Sequence, residues 1–436
     1  MAESPKELLR EAGCPRELDH RWLRQWLAGQ ADPSGTPYCG ISRLEPGQAL
    51  HFGSNGPRVV DVVGPECWPE PDLDGKRAEE AFLSAFDTAL GELLGDENSV
   101  ACEMSGGLDS TFMVASVLQR RDVSVRAFTH IPHPDASLRQ GGMVPSDEAA
   151  AAAMIEHLGD RVQWERIWNR TGRGPLAMAR EISMRAMWPA YGTGNLEWLD
   201  AIRRRARGLG FRAVWVGTHG NLAFSGDHGY ARASRSTSVP RRVVRRLRSA
   251  RARPSAVPGI RDLLRLPPQP RAPAGREAFL ASLAGRRTVH AGLLNPDAFD
   301  LPSIDPYRHR LVVETAARIR PEAWLRDGIR RGFARTVSAG RLADQVRLRE
   351  LRGVQGGDVW HWMYKDRGLY LDRLGELPAT PAIADLVDGA VLRHVVESWP
   401  WGDPTRPPPQ TQIAGVNRVL SLAQFIRDAE GWLSAF

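Results

Sequence analysis

"SVACEMSGGLDSTFMVASVLQRR", running from Ser99 to Arg121, is the stretch on which the fold turns. Its apolar start, Val100 to Met104, predicts a buried strand, and from about Asp109 to Arg120 the apolar residues recur at helical spacing. Between them stands Ser105-Gly106-Gly107-Leu108-Asp109-Ser110, where Val or Leu would pack better. Glycine lets a backbone turn sharply and approach a ligand closely. The N–H groups at the start of the following helix, together with its dipole, favour phosphate oxygens. Ser105 and Ser110 add hydroxyl donors. Asp109 does not suit phosphate itself, and its natural role is to hold a magnesium ion that the phosphates share. A Walker A loop would need a lysine after the second glycine, and Leu108 stands there instead.

Outward from this stretch, strands and helices alternate. "DLDGKRAEEAFLSAFDTALGELLGDENS" precedes it with helical periodicity. After it come the strand "VSVRAFTHI" and a helix from Ser146 with Asp147 and Glu148 in its first turn. The strands "RVQWERIW" and "FRAVWVG" follow, with "LEWLDAIRRRARGLG" as the helix between them and Gly208 or Gly210 as its stop. Such alternation predicts an α/β fold with a parallel sheet covered on both faces. Residues 1–75 read as short strands and turns. From about Arg232 to Arg276 proline, serine and arginine dominate, which predicts a mobile basic loop or a docking arm for an acidic ligand. Beyond it the chain reads as mostly helical.

Composition narrows the class. At 436 residues, two domains are the prior, and 42% hydrophobic with 25% charged residues fits a globular chain. No run reaches the apolar length of a membrane span, and "MAESPKELLREAG" is unlike a secretory signal. Cys14, Cys39, Cys67 and Cys102 form no C-x-x-C pair, which favours a reducing cytoplasm over a disulfide or zinc framework. The net charge of +7 comes almost wholly from arginine, since Lys6, Lys76 and Lys365 are the only lysines.

"SGGLDS" after a strand resembles the pyrophosphate loop of ATP pyrophosphatases, and its surroundings resemble the asparagine-synthetase-like amide ligases. "GISRLEPGQALHF" is similar to the end of their glutaminase-type domain, and "WVGTHGNLAFSG" to their second loop, G-x-G-x-D-E-x-F-x-G. "LPSIDPYRHRLVVETAARIRPEAWLRDGIRRGFAR" and "RLADQVRLRELRGVQGGD" are similar to the two later motifs, in the correct order. The resemblance spans about Asp19 to Gly357. It implies an adenine nucleotide alpha hydrolase-like synthetase domain with helical insertions over 76–436, preceded by a small β-rich, truncated glutaminase-like domain over 1–75. It also implies ATP and Mg²⁺ as cofactors. The reaction implied is adenylation of a carboxylate with pyrophosphate release, followed by attack of an amine.

Carried over residue by residue, the resemblance makes Ser105, Gly106, Gly107, Leu108, Asp109, Ser110 and Gly217 nucleotide-binding. Asp109 and Asn221 become the metal ligands, with asparagine where relatives have an acid. Thr218 stands where relatives keep a Tyr or Glu, and His219 replaces the second glycine. The family's lysine after "D-G" becomes Arg330 or Arg331, and the lysine of its closing segment becomes Arg352. Arginine binds phosphate bidentately and keeps its charge, although it does not readily shuttle protons. Glu181 lies roughly where relatives supply an acidic base. Ala2 stands where a working glutaminase has its nucleophilic cysteine, so the expected amine source is something other than glutamine.

Among the branches, the lasso-peptide macrolactam synthetases are the most similar. The implied partners are a precursor peptide or another carboxylate substrate, with a leader-peptide-binding protein and a peptidase alongside. Alternatives are an ammonia-dependent asparagine synthetase or a β-lactam-synthetase-like ligase. A tRNA-modifying enzyme is disfavoured because the usual cysteine pairs and RNA-binding modules are missing, and a non-catalytic ATP-binding scaffold because "SGGLDS" is intact.

Overall fold

The computed structural model describes residues 4–11, 13–62, 67–120, 122–136, 146–226, 275–283, 298–326, 329–350, 353, 355–384 and 386–435. The basic stretch expected to form a mobile loop lies outside them, apart from its last two residues.

The first 75 residues are more helical than their turn-rich composition predicts. Pro5–Arg10 (α1) starts on a Ser4 cap, and His20–Ala28 (α2) starts where Asp19 accepts the Trp22 amide and stops at Gly29 in the left-handed region. Trp22, Leu23, Trp26 and Leu27 share one face of α2 and are buried. Among the described residues here only Gln48–Gly53 (β1) and Gly56–Asp61 (β2) form strands, as an antiparallel hairpin. Gly75–Leu94 (α3) follows, burying Phe82, Phe86, Leu90 and Leu94.

The centre is a parallel sheet. Its strands are Ser99–Glu103 (β3), Ser124–His130 (β4), Val162–Ile167 (β5), Val214–Trp215 (β6) and Ser303–Ile304 (β7), in the order β5-β4-β3-β6-β7. The sequence reading did not anticipate β7, a two-residue strand with too little pattern to register. The connecting helices are Leu108–Val117 (α4), Glu148–Leu158 (α5), Pro175–Ala186 (α6) and Leu196–Gly208 (α7). Two helices, rather than the expected one, therefore join β5 to β6.

Strand alternation sends successive side chains to opposite faces. Val100, Cys102, Val125, Ala127 and Trp215 pack with α3, α4, α5 and the helix Arg310–Arg318. Ala101, Phe128, Ile167, Val214 and Val216 pack with Ile202 and Ala206 of α7. Both faces are covered, as the alternation of elements predicted. A third core joins α1, α2 and α6 to the later helices, including the long Gln410–Leu433, and the Tyr38 hydroxyl ties the first segment to it by donating to the Met187 carbonyl at 2.7 Å.

From β3 the chain steps through β4 to β5 on one side, while β6 and β7 lie on the other. In open parallel sheets the crevice beyond the carboxyl ends of the strands, where the direction of winding reverses, is where ligands bind. Here that crevice lies between the ends of β3 and β6. Among the described residues no helix is long and apolar enough to cross a membrane.

Candidate active site

β3 runs into Ser105-Gly106-Gly107, and α4 begins at Leu108. Gly106 has φ +69°, and a Cβ there would lie 2.8 Å from the Ala150 Cβ, so α5 packs directly on the turn. The two serines fold the turn onto itself. Ser110 Oγ accepts the Ser105 amide at 3.1 Å and lies 3.0 Å from Ser105 Oγ, which in turn accepts the Gly107 amide at 3.3 Å. Gly107 is the N-cap of α4 and brings no side chain to its first amides, the arrangement in which a helix start receives an anion. Asp109, in that first turn, is only 9% exposed.

The end of β6 braces this turn from behind. A Cβ on Gly217 would lie 2.8 Å from the Ser110 backbone, and one on Gly220 would lie 2.4 Å from the Asp109 Cβ. Gly217 therefore serves close packing of strand against helix start, and Gly220, which opens the short helix Gly220–Ala223 (α8), clears space for the Asp109 carboxylate. His219 turns away to Asp305, whose Oδ2 accepts the His219 amide at 2.9 Å and lies 2.7 Å from its Nδ1. Two residues on, the buried Tyr307 hydroxyl donates to the Asp109 carbonyl at 2.7 Å. Burial, with Asp109 and Asp305 adding to it, holds that phenol protonated well beyond its ordinary range. His219 is thus a brace for the turn.

A cleft of about 450 Å³ opens in front. It is lined by Ser105, Gly106, Gly107, Leu108, Asp109, Asn221 and Arg330, together with Arg331, Arg335, Arg349, Asp147, Asn195, Gln355 and Gln410. Residues named from separate stretches of sequence meet here. Arg331 has φ +60°, a left-handed conformation in which only it and Met187 stand among the described non-glycine residues. Its Nη2 donates to Asn221 Oδ1 at 3.1 Å, so the carboxamide oxygen expected to face a metal faces a guanidinium.

Asp147 and Arg349 were not named as site residues from the sequence. Asp147 precedes α5, yet its side chain does not cap that helix. Instead Asp147 Oδ1 accepts from Arg349 Nη1 at 2.7 Å and from the Gly353 amide at 3.0 Å. A Cβ on Gly353 would fall 2.2 Å from the Asp147 carboxylate, so only glycine lets the closing segment come this near. The acid of "PSDEA" was read only as a favourable first-turn charge, and the arginine spacing in "RLRELRG" was the signal that several guanidinia approach together.

Two expected residues fall elsewhere. Arg352 lies outside the described residues. Glu181, expected as an acidic base, does not line the cleft. It sits in a separate cavity of about 400 Å³, with Leu176, Met184 and Leu420, and pairs with both Arg173 and Arg185. A carboxylate held between two guanidinia on another surface is an anchor for α6 rather than a base for this cleft.

The cleft continues into a smaller chamber of about 210 Å³. Asn195, Gln355 and Gln410 line both spaces, while Tyr191, Asn417 and Arg418 line only the second. Behind Gln355 the closing segment reaches Asp358, which is buried. Its Oδ2 accepts the His133 amide at 3.2 Å and Trp362 Nε1–H at 3.1 Å, and its Oδ1 lies 3.8 Å from His130 Nε2. Burial lowers the His130 imidazole from its ordinary value, with Asp358 opposing that shift. Nearby Glu197 is pushed up to about 7, chiefly by burial and then by the Asp358 charge.

No protein-family model matches the chain, and no curated protein does. Among solved structures it is similar to the U34-tRNA thiolase NcsA from Methanococcus maripaludis with its 4Fe-4S cluster, at 15% identity over 66% of this chain and 75% of that one, with a TM-score of 0.25.

Proposed function

We propose that this chain binds ATP and forms an amide bond by adenylating a carboxylate with release of pyrophosphate, after which an amine attacks the acyl-adenylate. One arrangement supports the reading: a helix start without a side-chain cap, a buried aspartate and several arginines share a single cleft at the carboxyl ends of β3 and β6. That lining suits a polyphosphate, because backbone amides and guanidinium forks are the groups that bind phosphate oxygens best. Asp109 is the residue that would hold Mg²⁺, which when bound neutralises phosphate charge. Asn221 is the poorer donor, with its oxygen already engaged by Arg331. Arg330, Arg331 and Arg349, with Arg352 of the closing segment, are placed in this reading to receive the charge that develops on the departing pyrophosphate.

The resemblance to asparagine-synthetase-like ligases supports a finer reading, macrolactam closure of a precursor peptide, with a leader-peptide-binding protein and a peptidase as partners. There the peptide's own amine is the nucleophile, and holding both ends in one site raises their effective concentration. In the same reading residues 1–75 are the remnant of a glutaminase-like domain. The alternative, an ammonia-dependent or β-lactam-synthetase-like small-molecule ligase, is favoured by one feature, the second chamber of about 210 Å³.

Asp109→Ala tests the core of the proposal. Pyrophosphate release from ATP, assayed with candidate peptides and small carboxylates, should fall by about a thousandfold or more while circular dichroism and melting temperature stay near those of the unaltered protein. Normal release by a folded Asp109→Ala protein would remove the nucleotide site from this turn.

A further inference from the structure

We propose that the second chamber is an anion subsite in which Arg418 holds a carboxylate of the acyl substrate, distinct from the carboxylate that is activated. The inference rests on the adenylation reading above and adds the class of substrate: an acyl donor with a second carboxylate.

The connection between the two spaces comes first. The chamber shares Asn195, Gln355 and Gln410 with the cleft over the glycine turn, so one molecule can reach from one into the other. Arg418 lines only the far space, and Asp109 only the near one. An anion on Arg418 is therefore a different group from one undergoing reaction beside Asp109.

The state of Arg418 is the second observation. Its guanidinium carbon lies 4.3 Å from the centre of the Tyr191 ring, Nη2 donates to the Tyr191 hydroxyl at 2.6 Å, and Nη1 reaches the Leu27 carbonyl at 3.4 Å. Both acceptors are neutral. Elsewhere on the same helix, Arg427 Nη2 pairs with Glu376 at 3.2 Å, and Asp428 accepts Arg180 at 2.9 Å. Among the described residues no ion pair joins Arg418 to a carboxylate. Burial depresses its pKa, as expected of a cation removed from water with no counter-charge beside it. A guanidinium carries five N–H donors in a planar fork, and the two contacts above leave donors to spare for a carboxylate.

Fixed walls surround it. Asn417 is held in place, its Oδ1 accepting the Tyr370 hydroxyl at 2.5 Å and its Nδ2 donating to the Ile413 carbonyl at 2.9 Å. At about 210 Å³ the chamber is smaller than a drug-sized site, so it suits an amino-acid-sized group.

The competing role for Arg418 is purely structural, tying the end of α2 through the Leu27 carbonyl. Calorimetric titration of the full chain separates the two, with succinate and glutarate as probes against their dimethyl esters, which carry no carboxylate. In the unaltered protein the better dicarboxylate should bind about tenfold or more tightly than its dimethyl ester. Arg418→Gln should bring the two within about threefold, and Arg418→Lys, which keeps the charge without the fork, should fall between. Melting temperature reports whether each variant is folded, and affinity for an ATP analogue should not change. A full dicarboxylate preference in folded Arg418→Gln overturns the subsite. So does its absence from the unaltered protein, a result that needs no variant at all. Failure of the adenylation reading would look different: no ATP binding and no pyrophosphate release, whatever the dicarboxylates do.

Discussion

The segment from Arg349 to Asp358 is fastened at both ends by a carboxylate, and the two fastenings are built differently. At the front, Asp147 takes an arginine and a backbone amide on one oxygen. This end is an ion pair between a carboxylate and a guanidinium, 2.7 Å apart. At the back, Asp358 takes a backbone amide and an indole N–H, with His130 held below its ordinary pKa and Glu197 raised to about 7 beside it. That end has neutral donors, and one neighbour, Glu197, changes charge close to neutral pH. The same residue type thus makes an ion-paired clasp beside the glycine turn and one with a proton-sensitive neighbour on the β4 side.

The largest effect should come from breaking the front clasp. Asp147→Ala strands Arg349 and frees the Gly353 amide, so Arg349 loses its position over the cleft. Pyrophosphate release should fall by about a hundredfold, the scale of a small misplacement of reacting groups. Asp147→Asn, which keeps an acceptor oxygen, should recover part of it. Rates within about threefold of the unaltered protein for Asp147→Ala would mean that the clasp does not position the segment. Asp358→Asn should act mainly on stability. Its amide oxygen can take the place of Oδ2 under both N–H donors but without the charge, which should cost about 1–3 kcal/mol by chemical denaturation, with a smaller loss of rate than Asp147→Ala. A larger rate loss than at Asp147 would reverse the assignment of the two ends.

The smallest effect, and the one that sharpens the contrast, is the pH response of Glu197. Its folded pKa of about 7 lies above the ordinary carboxyl value. Between those two values the folded chain keeps a proton that the unfolded chain has lost. Stability from this group is therefore complete at the acidic end and disappears as pH rises through about 7. Glu197→Gln should flatten the decline in melting temperature between pH 5 and 8 relative to the unaltered protein. Superimposable pH profiles for Glu197→Gln and the unaltered protein would show that this end is not proton-sensitive.

How much of this was legible in the sequence depends on how local each signal is. The strand-turn-helix at Ser99–Arg121 was, because the apolar run, the glycines and the helical spacing are all contained in one short stretch. α2 was missed because "RWLRQWLAG" lies among turn residues, although Asp19 and Gly29 mark its ends. β7 has two residues, and its identity as a strand depends on a partner far away in the chain. In the cleft, Gly217 was named for a ligand yet proves to make room for the backbone at Ser110, since sequence cannot tell a glycine that faces a phosphate from one that faces a helix. Asp147 was hidden for the reverse reason: an acid ahead of a helix has a sufficient local explanation, which here is not the one that holds. Glu181 was placed by approximate correspondence alone, and its two arginine partners are close to it in the sequence, Arg173 before α6 and Arg185 four residues on.

The edge of the sheet has a consequence for the order in which the molecule can be made. Val214 and Ser303 pair although they stand about ninety residues apart, and the chain just beyond that pairing supplies Asp305 to His219 and Tyr307 to Asp109. Closing so long a loop costs entropy before its contacts return anything, which makes such pairings late events in folding. The Ser105–Ser110 turn can form early from neighbours in sequence, but its aspartate is held from behind only once the edge strand has docked. A chain still emerging from synthesis would carry the complete Ser105–Ser110 turn and no brace behind it. The brace behind Asp109 is thereby deferred until a distant contact is made, a form of timing written into the topology.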